Sequence, residues 1–251
     1  MLQEIRFGQI SLHTWNLLYQ KTRMLDTQKP LDTMLNITNI VGYKQTADQI
    51  NRTICNMLPV NENKFLFSSA IDFINGHQYD PNDSQKLFKR KTNLPIHLRL
   101  QQGARVMYLK NDLIEQGICN GTVGIITDVN PSTLEIRIAF SIKGGIVDIT
   151  IKKETATFTI DGKPSSRCQF PLQNAFALTV HKTQGLTLPE VSLHLDSQIF
   201  SAGQAYVALS RCSNWSRVHI ASLHPSAFIT DKSMIDEYNR LEQKAAVPLP
   251  L

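Results

Sequence analysis

The sequence predicts an α/β fold in which a parallel sheet flanked by helices is interrupted by a small all-β, barrel-like insertion. Near both ends of the chain, short apolar runs typical of buried strands alternate with amphipathic helical segments. Between them, apolar and polar residues alternate with the period of a half-buried strand. We therefore expect the insertion at residues 98–168, with residues 30–97 and 169–251 forming the two parts of the parallel-sheet domain.

The N-terminal part shows clear helix signals. Ser11 can cap a helix, and Thr46 with Gln49 has the S/T-x-x-E/Q spacing of a capping box at the start of another. In chain order we expect a helix after Ser11, a linker over residues 24–30, a strand over residues 37–41 and a helix over residues 46–58.

In the middle of the chain, the spacing of apolar residues changes from that of a helix to that of a strand. We expect one strand over residues 64–74, with Phe65 and Phe67 in the core, and a turn at Asn120-Gly121. Lys143-Gly144-Gly145 separates two alternating runs and predicts a hairpin. The remaining expectations are a short helix over residues 85–91 and strands over residues 105–109, 122–129, 134–140 and 147–151.

The last third returns to mixed strand and helix signals. Ser201 and Gln204 have the spacing of a further capping box, which would open a helix through Leu209. We expect strands over residues 175–180, 191–195 and 217–223, and a last helix over residues 233–241.

Composition narrows the class of protein. The 251 residues are 42% hydrophobic and 19% charged, which excludes a disordered tail, a collagen and a coiled coil. The net charge of +5 permits a nucleic-acid partner. The four cysteines are widely spaced without metal-ligand motifs, and no signal peptide or membrane-spanning run is evident, so we expect free thiols, no membrane and an intracellular, reducing compartment.

The richest functional segment follows the predicted strand at residues 175–180. Thr179, His181, Lys182 and Thr183 place hydroxyls, an imidazole and a cation at the carboxyl edge of the sheet, where ligands of α/β proteins bind. Gly185 allows close backbone approach, and the hydroxyls and the ammonium suit phosphate oxygens. Taken alone, His181 is more typical of an ordinary loop histidine.

The motifs in this region resemble those of the RecD/Pif-type branch of superfamily-one DNA helicases. ALTVHKTQGLTL, residues 177–188, is similar to motif V of that family, and QAYVALSR, residues 204–211, to motif VI. VGYKQTADQIN at residues 41–51 resembles motif IV, residues 94–129 resemble the segment leading into the β insertion, and IRFGQISLHTWNLL resembles the end of a first RecA-like domain.

The resemblance implies a RecA-like fold for the parallel-sheet domain, as the second helicase core domain, with residues 1–29 forming the tail of the first and a linker. ATP and Mg²⁺ would then bind in the cleft between the two domains. By motif, Arg211 would be the arginine finger that neutralises charge on the transferred phosphoryl group. Gln184 and Gly185 would face the same nucleotide, and Gln204 would support the motif VI helix. By itself, Arg211 just past a helix could also complement the helix dipole.

The resemblance also implies a single-stranded DNA partner. Thr179, His181 and Lys182, with Lys44 and Asn111, would lie along the strand and hold phosphates rather than read bases. Lys44 stands where motif IV commonly has Arg, and it lacks the bidentate geometry of a guanidinium. Weak, salt-sensitive binding, with a Kd of roughly micromolar or above, is expected at physiological salt.

No G-x-x-x-x-G-K-[ST] sequence occurs in the chain, so it carries no P-loop. Asp236-Glu237 lies in a helical pattern and is interpreted as a solvated face rather than a magnesium site. The chain therefore resembles the C-terminal half of a 5′-to-3′ DNA helicase of replication, recombination and repair, with a first RecA-like domain as partner in cis or in trans. If the source is a eukaryote, the nucleus or the mitochondrion is the expected compartment. Alternatives are a stand-alone single-stranded nucleic-acid-binding module and a decayed fragment within an assembly. We expect no ATPase activity from these 251 residues alone.

Overall fold

The structure is a computed structural model that describes residues 1–23, 31–59 and 61–245. The linker predicted at residues 24–30 lies outside these ranges. The chain divides into two compact units, one comprising Met1–Ala47 and Leu178–Leu251 and the other Asp48–Ala177. The second unit begins well before the boundary predicted at residue 98, because strands N-terminal to that residue pair with strands of the predicted insertion.

The secondary structure of the described residues comprises helices and strands with the following bounds. The helices are α1 (Leu2–Phe7), α2 (Leu12–Arg23), α3 (Leu31–Asn36), α4 (Lys44–Met57), α5 (Pro81–Phe88), α6 (Gln204–Leu209) and α7 (Lys232–Ala245). The strands are β1 (Thr38–Val41), β2 (Phe65–Ser69), β3 (Ile71–Ile74), β4 (His77–Tyr79), β5 (His97–Gln101), β6 (Arg105–Tyr108), β7 (Val123–Asn130), β8 (Glu135–Ile142), β9 (Gly145–Ile151), β10 (Glu154–Ile160), β11 (Lys163–Gln169), β12 (Leu172–Asn174), β13 (Ala177–Thr179), β14 (Val191–Leu195) and β15 (Val218–Leu223).

A four-stranded sheet in the order β13-β1-β14-β15 forms the centre of the first unit. β1 pairs with β14 in parallel, and β14 pairs with β15 in parallel, so the predicted parallel sheet is confirmed. Its core combines apolar residues from the strands with residues from α1, α2 and α6. Fully buried examples are Leu18, Ile40, Leu193, Ala208 and Ile220.

Antiparallel strands make up most of the second unit. A five-stranded sheet has the order β12-β6-β7-β8-β9, a four-stranded sheet has the order β10-β11-β3-β4, and β2 pairs with β5. The hairpin predicted around Gly144 is present, with Ile142 opposite Gly145. Within the described residues, no helix is long and apolar enough to cross a membrane.

Helix starts follow the predictions only in part. Ser11 caps α2 as expected, since its Oγ accepts a hydrogen bond from the Thr14 amide at 3.2 Å. The capping box predicted at Thr46 is wrong because α4 already begins at Lys44. The cap predicted at Ser201 is also wrong, because α6 starts after Gly203, whose φ of 77° is easily adopted only without a side chain. Likewise, α5 begins at Pro81 rather than at residue 85, because Asp80 caps it there.

The apolar run at residues 64–74 forms two strands rather than one. The chain leaves β2 at Ala70, whose amide donates to the Ile96 carbonyl at 2.7 Å, and β3 then joins another sheet. Phe67 is 58% exposed, so its expected place in the core is wrong, and Phe65 is only half-buried. The pleat explains the difference, because successive side chains face opposite ways and the neighbouring Ser68 is the buried one.

Candidate nucleic-acid interface

The loop after β13 presents three of the predicted site residues at one edge of the parallel sheet. A 3-10 turn runs over Val180–Thr183 and is held by its buried ends, with the Thr183 hydroxyl donating to the Val180 carbonyl at 2.8 Å. This anchoring leaves His181 exposed and Lys182 half-buried, while Thr179 caps the turn with its backbone. The loop is therefore a fixed support for polar side chains.

A second cation lies close to Lys182. Lys44 is exposed at the first position of α4, and its positive charge adds to burial in lowering the pKa of Lys182. Of the carboxylates in the described ranges, none forms an ion pair with either lysine. Two ammonium groups without a protein counter-ion favour an anionic ligand.

Two exposed aromatic rings adjoin these cations. The rings of Tyr43 and Phe200 are parallel, with centroids 5.4 Å apart and an interplanar angle of 8°. The rings are 46% and 52% exposed, respectively. The imidazole of His181 lies 6.2 Å from the Phe200 ring. Sequence reasoning missed both rings, because Tyr43 and Phe200 are distant in the chain and neither belongs to a periodic pattern.

Close backbone packing at Gly42 holds the two rings together. A Cβ atom at Gly42 would lie only 1.8 Å from the carbonyl oxygen of Gln198, in the loop that carries Phe200. The same loop is fixed by Gln204, whose Oε1 accepts hydrogen bonds from the amides of Phe200 at 3.0 Å and Ser201 at 3.3 Å. Gln204 was predicted to support the motif VI helix, which stays a prediction, whereas its observed side-chain bonds hold the Phe200 loop.

Arg211 connects the end of α6 to the motif V loop. Its guanidinium donates to the carbonyls of Thr183 at 3.2 Å and Leu186 at 3.3 Å, and to the helix carbonyl of Val207 at 2.9 Å. On this loop Gln184 is exposed, and Gly185 has a φ of +79° with no atom within 4 Å of a Cβ position. Arg211 is thus bonded to the two carbonyls that flank Gln184 and Gly185, and the predicted contact of these three residues with a nucleotide stays a prediction.

Asn111 is the one predicted site residue that belongs to the second compact unit. Its Oδ1 accepts a hydrogen bond from the Asn120 amide at 2.8 Å, which holds the turn at Asn120-Gly121. This contact gives Asn111 a structural role. Its predicted contact with DNA stays a prediction.

Comparison with known proteins identifies relatives for both units. A family model described as the 2B domain of the DNA helicase Pif1 matches residues 90–129. The ATP-dependent DNA helicase Pif1 of Bdellovibrio bacteriovorus is 26% identical over 243 residues, covering 96% of this chain and 51% of the relative. The PIF1 helicase of Danio rerio is 34% identical over 149 residues, or 59% of this chain and 23% of the relative.

A solved structure of two coordinating Pif1 helicases at forked double-stranded DNA covers 100% of this chain and 53% of its own, with 26% identity and a TM-score of 0.71. The chain is related to the C-terminal half of Pif1-type superfamily-one DNA helicases. It spans about half, or less, of the length of these relatives. The Pif1 relationship confirms the resemblance seen in the motifs.

The Pif1 relationship implies a nucleotide site, and the side chains present fit one end of ATP. The Arg211 guanidinium has no carboxylate partner among the described residues, and besides its bonds to three carbonyls its Nη2 donates to the Ser210 hydroxyl at 2.6 Å, which leaves one N–H of Nη2 for a phosphate oxygen. A Cβ at Gly185 would meet no atom within 4 Å, so the loop backbone there is open to a ligand. For a magnesium ion the fit is poor, because no group of three His, Cys, Asp or Glu side chains within the described part of the chain could hold a metal. These residues could therefore contact a nucleotide phosphate but not chelate its metal.

Gly42→Ala tests whether the close backbone packing beside the Tyr43–Phe200 stack affects binding of single-stranded DNA. Because the added Cβ would meet the Gln198 carbonyl, the Phe200 loop must shift and the Tyr43–Phe200 stack must open. We expect the affinity for single-stranded DNA to fall about tenfold, as for loss of one base-stacking contact. Fluorescence anisotropy with a labelled oligothymidylate measures this change.

The control for that measurement is Gln45→Ala, which removes an exposed side chain from the first turn of α4, three residues after Gly42. It should bind like the parent chain. Unchanged binding by Gly42→Ala would show that the ring pair does not contact DNA.

Proposed function

We propose that this chain supplies the single-stranded DNA contacts and the arginine finger of an ATP-dependent, 5′-to-3′ Pif1-type DNA helicase. The observation that carries the proposal is one surface of the first unit, where the unpaired cations Lys44 and Lys182 adjoin the exposed Tyr43–Phe200 stack. Cations beside aromatic rings are the combination that single-strand-binding grooves use.

The chemistry of this surface supports binding without sequence recognition. The ammonium groups of Lys44 and Lys182 can neutralise phosphates, and the hydroxyl of Thr179 can donate to a phosphate oxygen. An aromatic face accepts any base, because every base has a π-face. A motor that moves along DNA needs contacts of this kind, since contacts to base edges would favour particular sequences.

ATP would bind between this chain and a P-loop domain supplied in cis or in trans. The P-loop domain would also supply the ligands for Mg²⁺. On this chain Arg211, Gln184 and Gly185 would face the terminal phosphates. The guanidinium of Arg211 can stabilise charge that develops on the transferred phosphoryl group, because it is planar, always ionised and able to donate in a bidentate manner. Binding and hydrolysis of ATP would supply the free energy with which the P-loop domain and the parallel-sheet domain of this chain close and open.

A second candidate is a single-stranded nucleic-acid-binding module that hydrolyses no ATP. The cations and aromatic rings of the first unit favour it, because they could bind a single strand without any nucleotide. The two candidates differ in what they require of Arg211, since a binding module has no use for an arginine finger. A steady-state ATPase assay, with and without an added P-loop domain from a Pif1 relative, separates them.

Lys182→Ala is the direct test of the phosphate contact. Loss of one phosphate-binding cation should weaken binding to all oligonucleotides alike and reduce the slope of log K against log salt by about 0.7 for a single strand. Anisotropy titrations across a series of salt concentrations measure both quantities, and Lys44→Ala should act in the same direction.

Lys244→Ala is the matched control, because it removes the same charge from an exposed position on α7. If Lys182→Ala and Lys244→Ala change affinity and salt slope equally, only net charge matters and the proposed site is wrong.

A further inference from the structure

The second unit carries another exposed aromatic surface on the outer face of β2 and β5. In this antiparallel pair Phe67 lies opposite Arg99 and Ser69 lies opposite His97. The residues between them in sequence face inward, and Leu98 and Leu100 are buried. The outward face therefore presents the Phe67 ring and the His97 imidazole, while Arg99, opposite Phe67, directs its guanidinium to Asn56 and Gln101. We call it the β2–β5 face.

The groups on this face are already arranged by stacking. The Phe67 and His97 rings lie 5.7 Å apart at 23°, and the Ser69 hydroxyl is 3.2 Å from Nδ1 of His97. Next to them the Arg99 guanidinium lies 5.0 Å from the Phe65 ring centre, and its Nε donates to Oε1 of Gln101 at 2.7 Å. Phe67 nevertheless keeps 58% of its surface exposed, so one face of a stack remains open.

A basic segment adjoins the β2–β5 face through α5. Nε2 of His97 is 3.4 Å from Oδ1 of Asn82 in the first turn of α5. The other end of this helix and the turn after it carry four exposed cations. Within the described ranges none of the four forms an ion pair, and β2 and β5 contain no Asp or Glu. These cations, the basic segment, are Lys86, Lys89, Arg90 and Lys91.

We propose that the β2–β5 face and the basic segment form a second contact for single-stranded nucleic acid, separate from the motif V loop. A base stacks on the open face of Phe67, and the basic segment holds phosphates of the same strand. The inference rests on the proposed function in one respect, that single-stranded DNA is the ligand of this chain. It adds a binding site for which the motifs of the first unit give no indication.

The polarity of the surroundings favours a nucleic acid over an apolar protein partner. Phe67 has the polar residues Ser69, His97 and Arg99 as its neighbours on this face. An apolar partner would desolvate these groups without replacing their hydrogen bonds to water. A polyanion with aromatic bases instead matches both the stacking groups and the unpaired positive charge.

Phe67→Ala is the test, carried out on the full chain with a short oligothymidylate. Base–aromatic stacking predicts that affinity falls about tenfold. The thermal unfolding midpoint should stay unchanged, since the side chain is largely exposed. Phe67→Tyr should retain the parent affinity because it keeps the ring. Phe73→Ala, at a less exposed phenylalanine of the same unit, is the matched control and should also bind normally.

Photocross-linking with 5-bromodeoxyuridine in the oligonucleotide gives an independent measurement. Cross-links should appear on the peptide that contains Phe67 or on the one that contains His97. Normal affinity of Phe67→Ala, while Lys182→Ala binds weakly, would overturn the second contact and leave the proposed function intact. If neither variant loses affinity, both proposals fail.

Discussion

Arg211→Ala is expected to lower ATP turnover about a thousandfold when the chain is assembled with a P-loop domain from a Pif1 relative. Arginine fingers contribute about 10³ to 10⁵ in rate, because the guanidinium stabilises charge present only in the transition state. The guanidinium has no carboxylate partner among the described residues and donates to the carbonyls of Thr183 and Leu186, which flank Gln184 and Gly185. Single-turnover and steady-state ATPase assays with saturating DNA measure the effect.

Arg211→Lys separates catalysis from support of the loop. Arg211 also donates to the carbonyls of Thr183 and Leu186, so its removal could loosen the motif V loop. A finger role predicts that turnover falls while DNA affinity and the unfolding midpoint of the Lys variant stay near those of the parent, because Lys keeps the charge but loses the bidentate geometry. The contrary result would be that the Lys variant binds DNA more weakly and unfolds more easily, but each folded molecule still hydrolyses ATP at the parent rate. Arg211 would then be a positioning residue only.

Arg167→Ala is expected to produce the largest loss of stability in the second unit, about 3–5 kcal/mol of unfolding free energy. Arg167 on β11 and Asp72 on β3 form an ion pair that is 4% and 0% exposed, with Nη2 to Oδ2 at 2.6 Å and Nε to Oδ1 at 2.8 Å. Removing the guanidinium leaves a buried carboxylate that, among the described residues, keeps the Ser84 hydroxyl as its side-chain donor. Urea unfolding followed by circular dichroism measures the change.

The double variant Arg167→Met with Asp72→Leu is the control. When both charges are replaced by apolar groups of similar size, no uncompensated charge remains, and stability should be much closer to that of the parent. Equal losses in the single and double variants would show that packing around Phe88, which the Arg167 guanidinium contacts, matters more than the charge.

The sequence by itself determined the elements whose signals are local. The strand predicted at residues 191–195 matches β14, and the capping hydroxyl of Ser11 starts α2, because a short apolar run and a cap need only neighbouring residues. The apolar run before motif V likewise placed Lys182 on the loop that follows a strand of the parallel sheet. A hairpin at Gly144 followed from alternation and turn chemistry alone.

Only the tertiary structure decided which residues from distant parts of the chain meet and which side chains face water. The Tyr43–Phe200 stack depends on backbone contact at Gly42, and the Asp72–Arg167 pair depends on the register of β3 with β11. Phe67 became exposed because the pleat turned Ser68 inward instead. Apolar character predicts burial only on average, whereas long-range pairing fixes the face that each side chain takes.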